Sequence, residues 1–272
     1  MNQVPINEFS TSTQMDLKLT NQRFIVCGAS SGFGEAVARL LLTEGARVIL
    51  VARREELLHD KFGDFEHQSE IIAGSLTSEK TLDRIFNSVQ NQGFHGVFIN
   101  AGGPSTGTPL ETRMSDWDEA WQSVMRWKID LSLRLAPLLV NNGYGRILFL
   151  ESQSVKQPLP ALTLSNAFRA AVVGFAKTLA LEIAAKGVTV NVLAPGSHAT
   201  PAIERVIKNK SSQENISYEE AKMTMEKNIP VGRMGKGEEL ASLAVYLLSE
   251  HSSFITGQTI SHDGGSISGI FG

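Results

Sequence analysis

Three closely spaced glycines suit a turn that binds phosphate. They stand in the segment GASSGFG, which follows the apolar run RFIVC and opens the helical segment EAVARLLL. Glycine lets the backbone turn tightly and approach a pyrophosphate, whose charge then lies at the positive N-terminus of the helix. A strand-to-helix turn of this kind predicts a dinucleotide site. The residues that we expect to line it are Gly28, Ser30, Ser31, Gly32, Phe33 and Gly34.

The residues after the second predicted strand indicate which dinucleotide the site prefers. A site for NAD in this kind of fold usually holds the ribose 2′-hydroxyl with a carboxylate at the strand end. Ala52 occupies that place here, and Arg53 and Arg54 follow it. A guanidinium can hold a ribose 2′-phosphate through charge-assisted hydrogen bonds. We therefore predict NADP in preference to NAD, with Arg53 as the contact. The alternative is that one of the two arginines merely lies in solvent, Arg54 rather than Arg53.

Strands and helices are predicted to alternate along the chain. Short β-branched and apolar runs predict strands, and the stretches between them carry apolar residues at helical spacing. Such alternation indicates an α/β fold of the Rossmann type, a doubly wound parallel sheet of about seven strands with helices on both faces. The predicted strands are Phe24–Cys27, Val48–Val51, Ile71–Ala73, Val97–Asn100, Ile147–Leu150, Val188–Leu193 and Thr259–Ser261. The predicted helices include Glu35–Glu44, Glu79–Gln92, Met114–Leu139 and Asn166–Lys186.

No linker, repeat or change of composition divides the chain, so residues 17–272 are predicted to form a single domain. Residues 1–16 are polar and lack periodicity. We interpret them as a flexible arm, the alternative being a segment that wraps a partner subunit. Residues 197–228 contain the charged, amphipathic segment SYEEAKMTMEKN. An insertion after a strand end predicts a lid over the carboxyl edge of the sheet, where such folds bind ligands; a surface helix without a gating role is the alternative.

Composition limits the classes of partner. The chain has 272 residues and a formal net charge of −3, so no general attraction to nucleic acid or anionic lipid is predicted. No apolar run approaches the roughly 18–20 residues of a membrane span, and the N-terminus lacks the pattern of a secretory signal. Cys27 is the only cysteine, which rules out an intrachain disulfide. These features predict a cytoplasmic protein, and no metal site is predicted.

Four motifs in order along residues 17–265 resemble those of short-chain dehydrogenases/reductases. They are GASSGFG, the NAG at Asn100–Gly102, the PG at Pro195–Gly196 with Thr200, and the DGG at Asp263–Gly265. The resemblance implies that Asn100, Ala101 and Gly102 line the adenine ribose. It also implies that Thr200 holds the nicotinamide carboxamide and that Pro195 and Gly196 border the cofactor.

The same resemblance places the active centre and shows where this chain departs from the family. The family uses a Tyr-x-x-x-Lys pair on one helix, a serine about 13 residues earlier, and an asparagine on the preceding helix, the tyrosine exchanging a proton with the substrate oxygen. Aligned on AAVVGFAKTLALE, the pair falls on Ser165 and Arg169, the serine on Ser152 and the asparagine on Val124. The chain therefore lacks the family pair at these positions. Ser152, Ser165 and Arg169 are the predicted catalytic residues, with Arg169 also at the cofactor ribose.

A serine hydroxyl is a far weaker acid than a phenol, so direct proton donation by Ser165 is disfavoured. Four other side chains could take over part of the role of the phenol, and two of them, Tyr218 and Lys128, have a clear structural alternative. Tyr218 could fold over the cleft or form a hydrophobic contact within the lid. Lys128 could supply a cation or lie in solvent or at an interface. His198 titrates near neutrality beside the cofactor motifs, and Glu151 ends the fifth predicted strand.

Two functions fit these residues. The first is an NADP-dependent oxidoreductase with an atypical active site, which transfers hydride between NADPH and a small carbonyl or alcohol substrate. The second is a protein that binds NADP(H) without turnover, as a sensor or partner subunit. The retained Ser152, the predicted lid and Thr200 favour the enzyme.

The resemblance also implies a homo-oligomer, with a tetramer ahead of a dimer. Relatives pair the helices that correspond to Met114–Leu139 and Asn166–Lys186 across a two-fold axis, and the C-terminal segment SISGIFG often completes a tetramer. Trp127, Phe175 and Leu179 are the side chains that we expect on the exposed faces of these two helices.

Overall fold

Seven parallel strands form one sheet in the computed structural model, which describes residues 15–100 and 102–270. The spatial order is β3-β2-β1-β4-β5-β6-β7. Each predicted run is a strand, which confirms the predicted fold class. The strands are β1 Arg23–Cys27, β2 Arg47–Ala52, β3 Ser69–Ala73, β4 Gly96–Ile99, β5 Gly145–Leu150, β6 Val188–Pro195 and β7 Thr259–His262. Ala101 and most of the predicted N-terminal arm lie outside the described residues.

The central strands are largely apolar because both faces of the sheet are covered. Successive side chains of a strand point to opposite faces. In β1, Ile25 belongs to the core on one face, together with Trp127 and Val97. Phe24 and Val26 belong to the core on the other face, which helices α1 and α9 cover. The site must therefore lie at an edge of the sheet, where the strands end.

Nine α-helices connect and flank the strands within the described residues. They are α1 Gly32–Thr43, α2 Glu55–Phe62, α3 Glu79–Val89, α4 Met114–Ala120, α5 Trp127–Asn142, α6 Thr163–Ile183, α7 Pro201–Glu214, α8 Tyr218–Glu226 and α9 Gly237–Leu248. A π-helical segment, Trp121–Arg126, joins α4 to α5, so the predicted helix Met114–Leu139 is interrupted. Helix α6 begins at Thr163, three residues before the predicted start, which places Ser165 in its first turn.

Three side chains were predicted to lie on the exposed faces of α5 and α6, and for two of them, Trp127 and Leu179, the prediction is wrong. Trp127 is 2% exposed and Leu179 is 8% exposed, and both pack in the core that faces these helices. A π turn holds one more residue than an α turn, so the side chains that follow it rotate about the helix axis. Trp127 follows the π segment directly, and its Nε1 donates to the Ser123 carbonyl (2.9 Å). The large apolar side chains that these helices expose are instead Leu133 and Leu181.

The predicted lid segment folds into α7 and α8. Helix α8 begins with a capping box, in which Ser217 Oγ accepts from the Glu220 amide and the Glu220 carboxylate accepts from the Ser217 amide. The two helices enclose a small apolar cluster of their own, made of Ile207, Ala221, Ile229 and Met234. Since α7 starts immediately after Thr200, these helices stand beside the carboxyl end of β6. Their role as a lid stays a prediction.

Candidate active site

The glycine turn between β1 and α1 has the backbone geometry that its sequence predicts. Gly28 and Gly32 adopt φ of 70° and 58°, which non-glycine residues rarely adopt. A methyl group at position 34 would overlap the carbonyl oxygen of Gly28, so Gly34 lets α1 start directly against the end of β1. The Gly28 and Ala29 amides donate to the Val51 carbonyl (2.8 and 3.1 Å). The turn is therefore fixed to β2 and opens at the helix N-terminus.

The two arginines after β2 behave differently from each other. Arg54 Nη2 donates to Ser30 Oγ (3.0 Å) and lies 3.3 Å from Ser31 Oγ. Arg54 is exposed, but solvent is not its only partner, because its guanidinium also contacts the hydroxyls of the glycine turn. Arg53 is exposed beside it. The predicted contact of Arg53 with a 2′-phosphate stays a prediction.

The ends of β4 and β6 close around the glycine turn. Asn100 Nδ2 lies 3.4 Å from the Cys27 carbonyl, and a Cβ at Gly28 would stand 2.8 Å from the same nitrogen. Thr200 is 9% exposed, and its Cβ lies 3.8 Å from where a Cβ at Gly32 would stand. Two predicted cofactor residues from separate parts of the chain, Asn100 and Thr200, thus flank one turn. Gly102 follows in the loop after β4, and no side-chain or backbone atom would crowd a methyl group there.

The segment Pro195–Gly196 ends β6 against β7. Pro195 pairs with His262, and the Gly196 amide donates to the His262 carbonyl (3.1 Å). A Cβ at Gly196 would stand 2.8 Å from Asp263 Cβ and 2.9 Å from Gln153 Oε1. The glycine therefore lets the ends of β5, β6 and β7 approach closely at the edge where the candidate site lies.

The two positions on which the resemblance places the family pair, Ser165 and Arg169, belong to a buried cluster of charged and polar side chains. Arg169 Nε donates to Ser165 Oγ (2.9 Å), and Arg169 Nη1 donates to Glu151 Oε2 (3.0 Å) and to the Glu151 carbonyl (3.2 Å). Lys128 Nζ donates to the other carboxylate oxygen, Oε1, at 2.5 Å. We call Lys128, Glu151, Ser165 and Arg169 the buried polar cluster. All four are less than 9% exposed.

One carboxylate in this cluster is shared by two cations. The pKa of Lys128 is lowered first by burial and in part by the charge of Arg169, whereas Glu151 opposes the shift. An arginine stays protonated in proteins. With all three groups ionised, the cluster would carry a formal charge of +1. The expectation that Lys128 lies in solvent or at an interface is wrong, since its side chain is 1% exposed.

The secondary structure explains why these four residues meet. Glu151 follows the last residue of β5, and Ser165 and Arg169 lie one turn apart on the same face of α6. Lys128 lies in the first turn of α5, directly after the π segment that contains the buried Val124. The bond from Arg169 Nη1 to the Glu151 carbonyl ties α6 to the end of β5.

Ser152 lies next to this cluster along the chain. It caps the short 3₁₀ helix Gln153–Val155, and its Oγ accepts from the Ser154 amide (3.2 Å). That bond uses the oxygen as an acceptor and leaves the hydroxyl hydrogen available to donate. Ser152 is partly exposed, whereas Glu151 is buried.

His198 has both ring nitrogens engaged. Nδ1 lies 3.0 Å from the Gly196 carbonyl, to which it must donate because a carbonyl only accepts. Nε2 shares a hydrogen bond of 2.8 Å with His262 Nδ1. Its ring also meets the Phe33 ring edge-on, with centroids 5.0 Å apart. Burial lowers the pKa of His198, and the charge of His262 lowers it further. His198 therefore contacts both Phe33 of the glycine turn and His262 at the end of β7.

One Tyr-x-x-x-Lys spacing does occur in the chain, outside the aligned helix. Tyr218 is followed four residues later by Lys222, on α8. Tyr218 packs against the apolar cluster that α7 and α8 share with Ile229 and Met234. This packing supports the interpretation of Tyr218 as a hydrophobic contact within the lid segment.

Sequence reasoning gave too little weight to Lys128. A signal for it was present, because Glu151 directly follows the apolar run Ile147–Leu150 and a buried carboxylate needs a cation or strong donors. Lys128 lies four residues after Val124, at a position that the resemblance places near the active centre.

No cluster of three or more His, Cys, Asp or Glu side chains suited to a metal ion occurs in residues 15–100 and 102–270. In the same residues no helix is both long and apolar enough to cross a membrane.

The sheet order and the glycine turn define the chain first as a dinucleotide-binding α/β protein. The connections reverse direction between β1 and β4, and in such sheets ligands bind at the crevice outside the carboxyl ends of those strands. The glycine turn, Asn100 and Thr200 all lie at that edge.

Comparison with known proteins then gives the family. A family model described as enoyl-(acyl carrier protein) reductase matches residues 28–266. The chain is 30% identical to the NADPH-dependent reductase BacG of Bacillus subtilis, over 93% of this chain and 100% of that protein. It is 30% identical to the 3-oxoacyl-[acyl-carrier-protein] reductase FabG of Haemophilus influenzae, over 89% and 96% of the two chains. The structure of L-sorbose reductase from Gluconobacter frateurii, complexed with NADPH and L-sorbose, superimposes with a TM-score of 0.88 at 27% identity, covering 94% of this chain and 100% of that one. This protein belongs to the short-chain dehydrogenase/reductase family.

We expect Glu151→Gln to destabilise the protein. The change would leave Lys128 and Arg169 without their shared carboxylate, and an uncompensated buried charge costs about 3–5 kcal/mol. Urea unfolding would measure the loss. Adding Lys128→Met to this variant should recover part of it, because one of the two unpaired cations is then gone.

Glu70→Gln is the matched control. Glu70 pairs with Arg23, and its side chain is 45% exposed, so its removal should cost no more than about 1 kcal/mol. Equal losses for the two variants would contradict the assignment of Glu151 as the centre of a buried charge cluster.

Proposed function

We propose that the protein is an NADPH-dependent oxidoreductase that transfers hydride between NADPH and a small carbonyl or alcohol substrate. Its centre is atypical and uses Ser152, Ser165 and Arg169. The observation that carries the proposal is the meeting of two features at one edge of the sheet. The glycine turn follows β1, Thr200 follows the end of β6, and the buried polar cluster lies at the end of β5. The strand order β1-β4-β5-β6 places all three at the same edge of the sheet.

The residues present fit a dinucleotide. Gly28, Gly32 and Gly34 leave the turn free of side chains at the start of α1, where a pyrophosphate accepts hydrogen bonds from backbone amides. Asn100 and Gly102, with Ala101 between them, would border the adenine ribose, and Thr200 would hold the carboxamide. The nicotinamide supplies a hydride when the cofactor is bound. Relatives support this interpretation, since BacG is an NADPH-dependent reductase and L-sorbose reductase is complexed with NADPH.

The protein's own side chains would orient the reacting groups. The Arg169 guanidinium, held by Glu151, keeps a fixed positive charge beside Ser165. Ser165 Oγ accepts from that guanidinium, so its hydroxyl hydrogen is free to donate to an oxygen in the cleft. The helices α7 and α8 are proposed to cover the cleft and exclude water. Where the family has a phenol and an ammonium group, this protein would thus offer the Ser165 hydroxyl and the Arg169 guanidinium as hydrogen-bond donors.

Binding without turnover is the second candidate function. A specific observation favours it, namely that Ser165 and Arg169 stand where the family carries its proton donor and its lysine. An arginine does not release its proton in proteins. Only the oxidoreductase is expected to oxidise bound NADPH when a carbonyl compound is added, and this result separates the two candidates.

We also propose a homo-oligomer, with a tetramer ahead of a dimer, located in the cytoplasm. Leu133 on α5 and Leu181 on α6 are 58% and 77% exposed, which places an apolar side chain on the outer surface of each of the helices that relatives are expected to pair. Sedimentation velocity at micromolar concentration should give a tetramer. Leu133→Lys with Leu181→Lys should weaken it, and a monomer for the unmodified protein would contradict the proposal.

Two neighbouring arginines give a matched test of cofactor preference. Arg53→Ala should weaken NADPH roughly ten- to a hundredfold and leave NADH unchanged, because only NADPH carries the 2′-phosphate. Arg54→Ala should weaken both cofactors to a similar extent, since Arg54 orders Ser30 and Ser31 of the shared turn. Isothermal titration measures the affinity of each of the three proteins, unmodified and variant, for both cofactors. Equal affinity of the unmodified protein for NADPH and NADH would contradict the proposed preference.

A third variant tests whether the centre turns over. With a panel of carbonyl compounds, we expect the unmodified protein to oxidise NADPH and Arg169→Met to lose roughly a hundredfold or more of that rate, as the removal of a preorganised donor does elsewhere. NADPH affinity of the variant, measured by titration, serves as the control for folding. An unmodified protein that binds NADPH and oxidises none of it would support the binding protein instead.

A further inference from the structure

Two histidines form a hydrogen-bonded pair at the ends of β6 and β7. His198 follows β6 and is 3% exposed, whereas His262 is the last residue of β7 and is partly exposed. Their ring centroids are 5.0 Å apart, and His198 Nε2 lies 2.8 Å from His262 Nδ1. Neither imidazole belongs to the proposed cofactor contacts or to the buried polar cluster.

The Gly196 carbonyl fixes where the hydrogens of this pair lie. A carbonyl only accepts, so His198 Nδ1, at 3.0 Å from it, carries the hydrogen. In the neutral ring His198 Nε2 is then an acceptor, and His262 Nδ1 must donate to it. A first added proton at His262 Nε2 leaves this bond intact. A second added proton can enter only at His198 Nε2, where the N–H donors of two cationic rings would then face each other.

His198 has no space in which to avoid such a contact. A Cβ at Gly235 would stand 2.5 Å from His198 Cδ2, so only glycine leaves room for the ring. The ring also meets the Phe33 ring edge-on, with centroids 5.0 Å apart. The Ala199 amide donates to the Gly235 carbonyl, and the Gly235 amide donates to the Ser197 carbonyl, which fixes the backbone on both sides of His198. Repulsion within the pair would therefore displace this segment or the Phe33 side chain.

Both displacements would change the cofactor site. Phe33 lies between Gly32 and Gly34 in the glycine turn. Thr200, the proposed contact of the carboxamide, lies two residues after His198, and its Cβ lies 3.8 Å from where a Cβ at Gly32 would stand. The turn and Thr200 thus keep their spacing only while His198 stays in place.

Three charged side chains lie around the pair. Glu239 on α9 accepts from Arg233 at 2.6 and 2.9 Å, and these bonds lower the pKa of Glu239 to about 2, so it keeps its charge above pH 5. The Asp263 carboxylate accepts from two backbone amides of the turn after β7. Burial lowers the pKa of His198, and the charge of His262 lowers it further, whereas Glu239 and Asp263 oppose the shift. A cavity of about 330 Å³ borders both rings, so water can reach the pair.

We propose that His262 is a positioning residue for NADP(H), acting through His198, and that a second added proton on the pair weakens cofactor binding. The inference rests on the cofactor site of the proposed function and does not depend on turnover. Binding and protonation are linked reciprocally, so bound NADP⁺ should lower the pH at which this proton enters. Affinity should therefore be highest near pH 8 and fall as the pH drops below about 6.5, the ordinary pKa of an imidazole.

Titration with NADP⁺ between pH 8 and pH 5 tests the pair. His262→Asn is the informative variant, because its amide can donate to His198 Nε2 or, after rotation, accept from it, and takes up no proton. The fall in affinity of the unmodified protein over this range should exceed that of the variant by at least about fivefold. Protonation of the cofactor's own 2′-phosphate affects both proteins alike and cancels in this comparison.

Two further variants complete the set. His262→Leu removes the donor to His198, so it should bind NADP⁺ more weakly than His262→Asn does at pH 8. His95→Asn is the matched control, since His95 is also partly buried and its pKa is also lowered by burial. His95 precedes β4 at the opposite edge of the sheet, so its variant should keep the pH profile of the unmodified protein. Circular dichroism at each pH checks the fold.

Nitrogen NMR of the histidine rings tests the proton positions directly. At pH 8 we expect His198 to carry its hydrogen on Nδ1 and His198 Nε2 to be unprotonated. Saturating NADP⁺ should move the titration of His198 to lower pH. This measurement uses the unmodified protein and so does not depend on the folding of any variant.

The outcomes separate the inference from the proposed function. Parallel pH profiles for the unmodified protein and His262→Asn, or a His198 ring with its hydrogen on Nε2, would overturn the inference and leave the NADPH-dependent oxidoreductase standing. Failure of the unmodified protein to bind NADP⁺ at pH 8 would overturn both. If His262→Asn does not fold, the NMR titration decides, and a His198 titration that NADP⁺ leaves unchanged would contradict the inference.

Discussion

The arrangement of the active centre depends on one carboxylate shared between two cations inside the protein. Glu151 accepts from Lys128 through one oxygen and from Arg169 through the other, and all three side chains are buried. Burying three charges is tolerable only when each is paired and hydrogen-bonded. That requirement fixes the end of β5 against the starts of α5 and α6. It also fixes the orientation of the Arg169 guanidinium and hence of Ser165.

The cofactor side of the cleft follows from a different constraint, which is the lack of space around the glycine turn. Gly34 must be glycine because α1 begins against the Gly28 carbonyl. Arg54 holds the turn's serines, and His198 supports Phe33 of the same turn through a chain of contacts that reaches His262 on β7. The two constraints meet at one edge of a sheet whose order brings β1, β4, β5 and β6 side by side. A rigid turn and a rigid guanidinium thus face the same crevice.

The strands and the glycine turn could be predicted from sequence because each depends on local pattern. An apolar run without polar alternation must be covered on both faces, and this glycine spacing at a strand end is typical of a phosphate-binding turn. The burial of Trp127 and Lys128 does not follow from their local pattern, because the π segment before them rotates their side chains inward. The contacts of Arg54 with Ser30 and Ser31 were not predictable, because the direction of neither arginine is encoded in the dipeptide. The partner of Glu151 was predictable in kind, as a buried carboxylate needs a cation, but its identity required the tertiary structure.

The most direct test of the shared carboxylate is a crystal structure of the complex with NADP⁺. We expect Glu151 to keep its bonds to Lys128 and Arg169. We also expect the Arg169 guanidinium and the Ser165 hydroxyl to face the space beside the nicotinamide ring. A structure in which Lys128 leaves Glu151 and reaches the cofactor, or in which Arg169 turns away from the cleft, would contradict this arrangement.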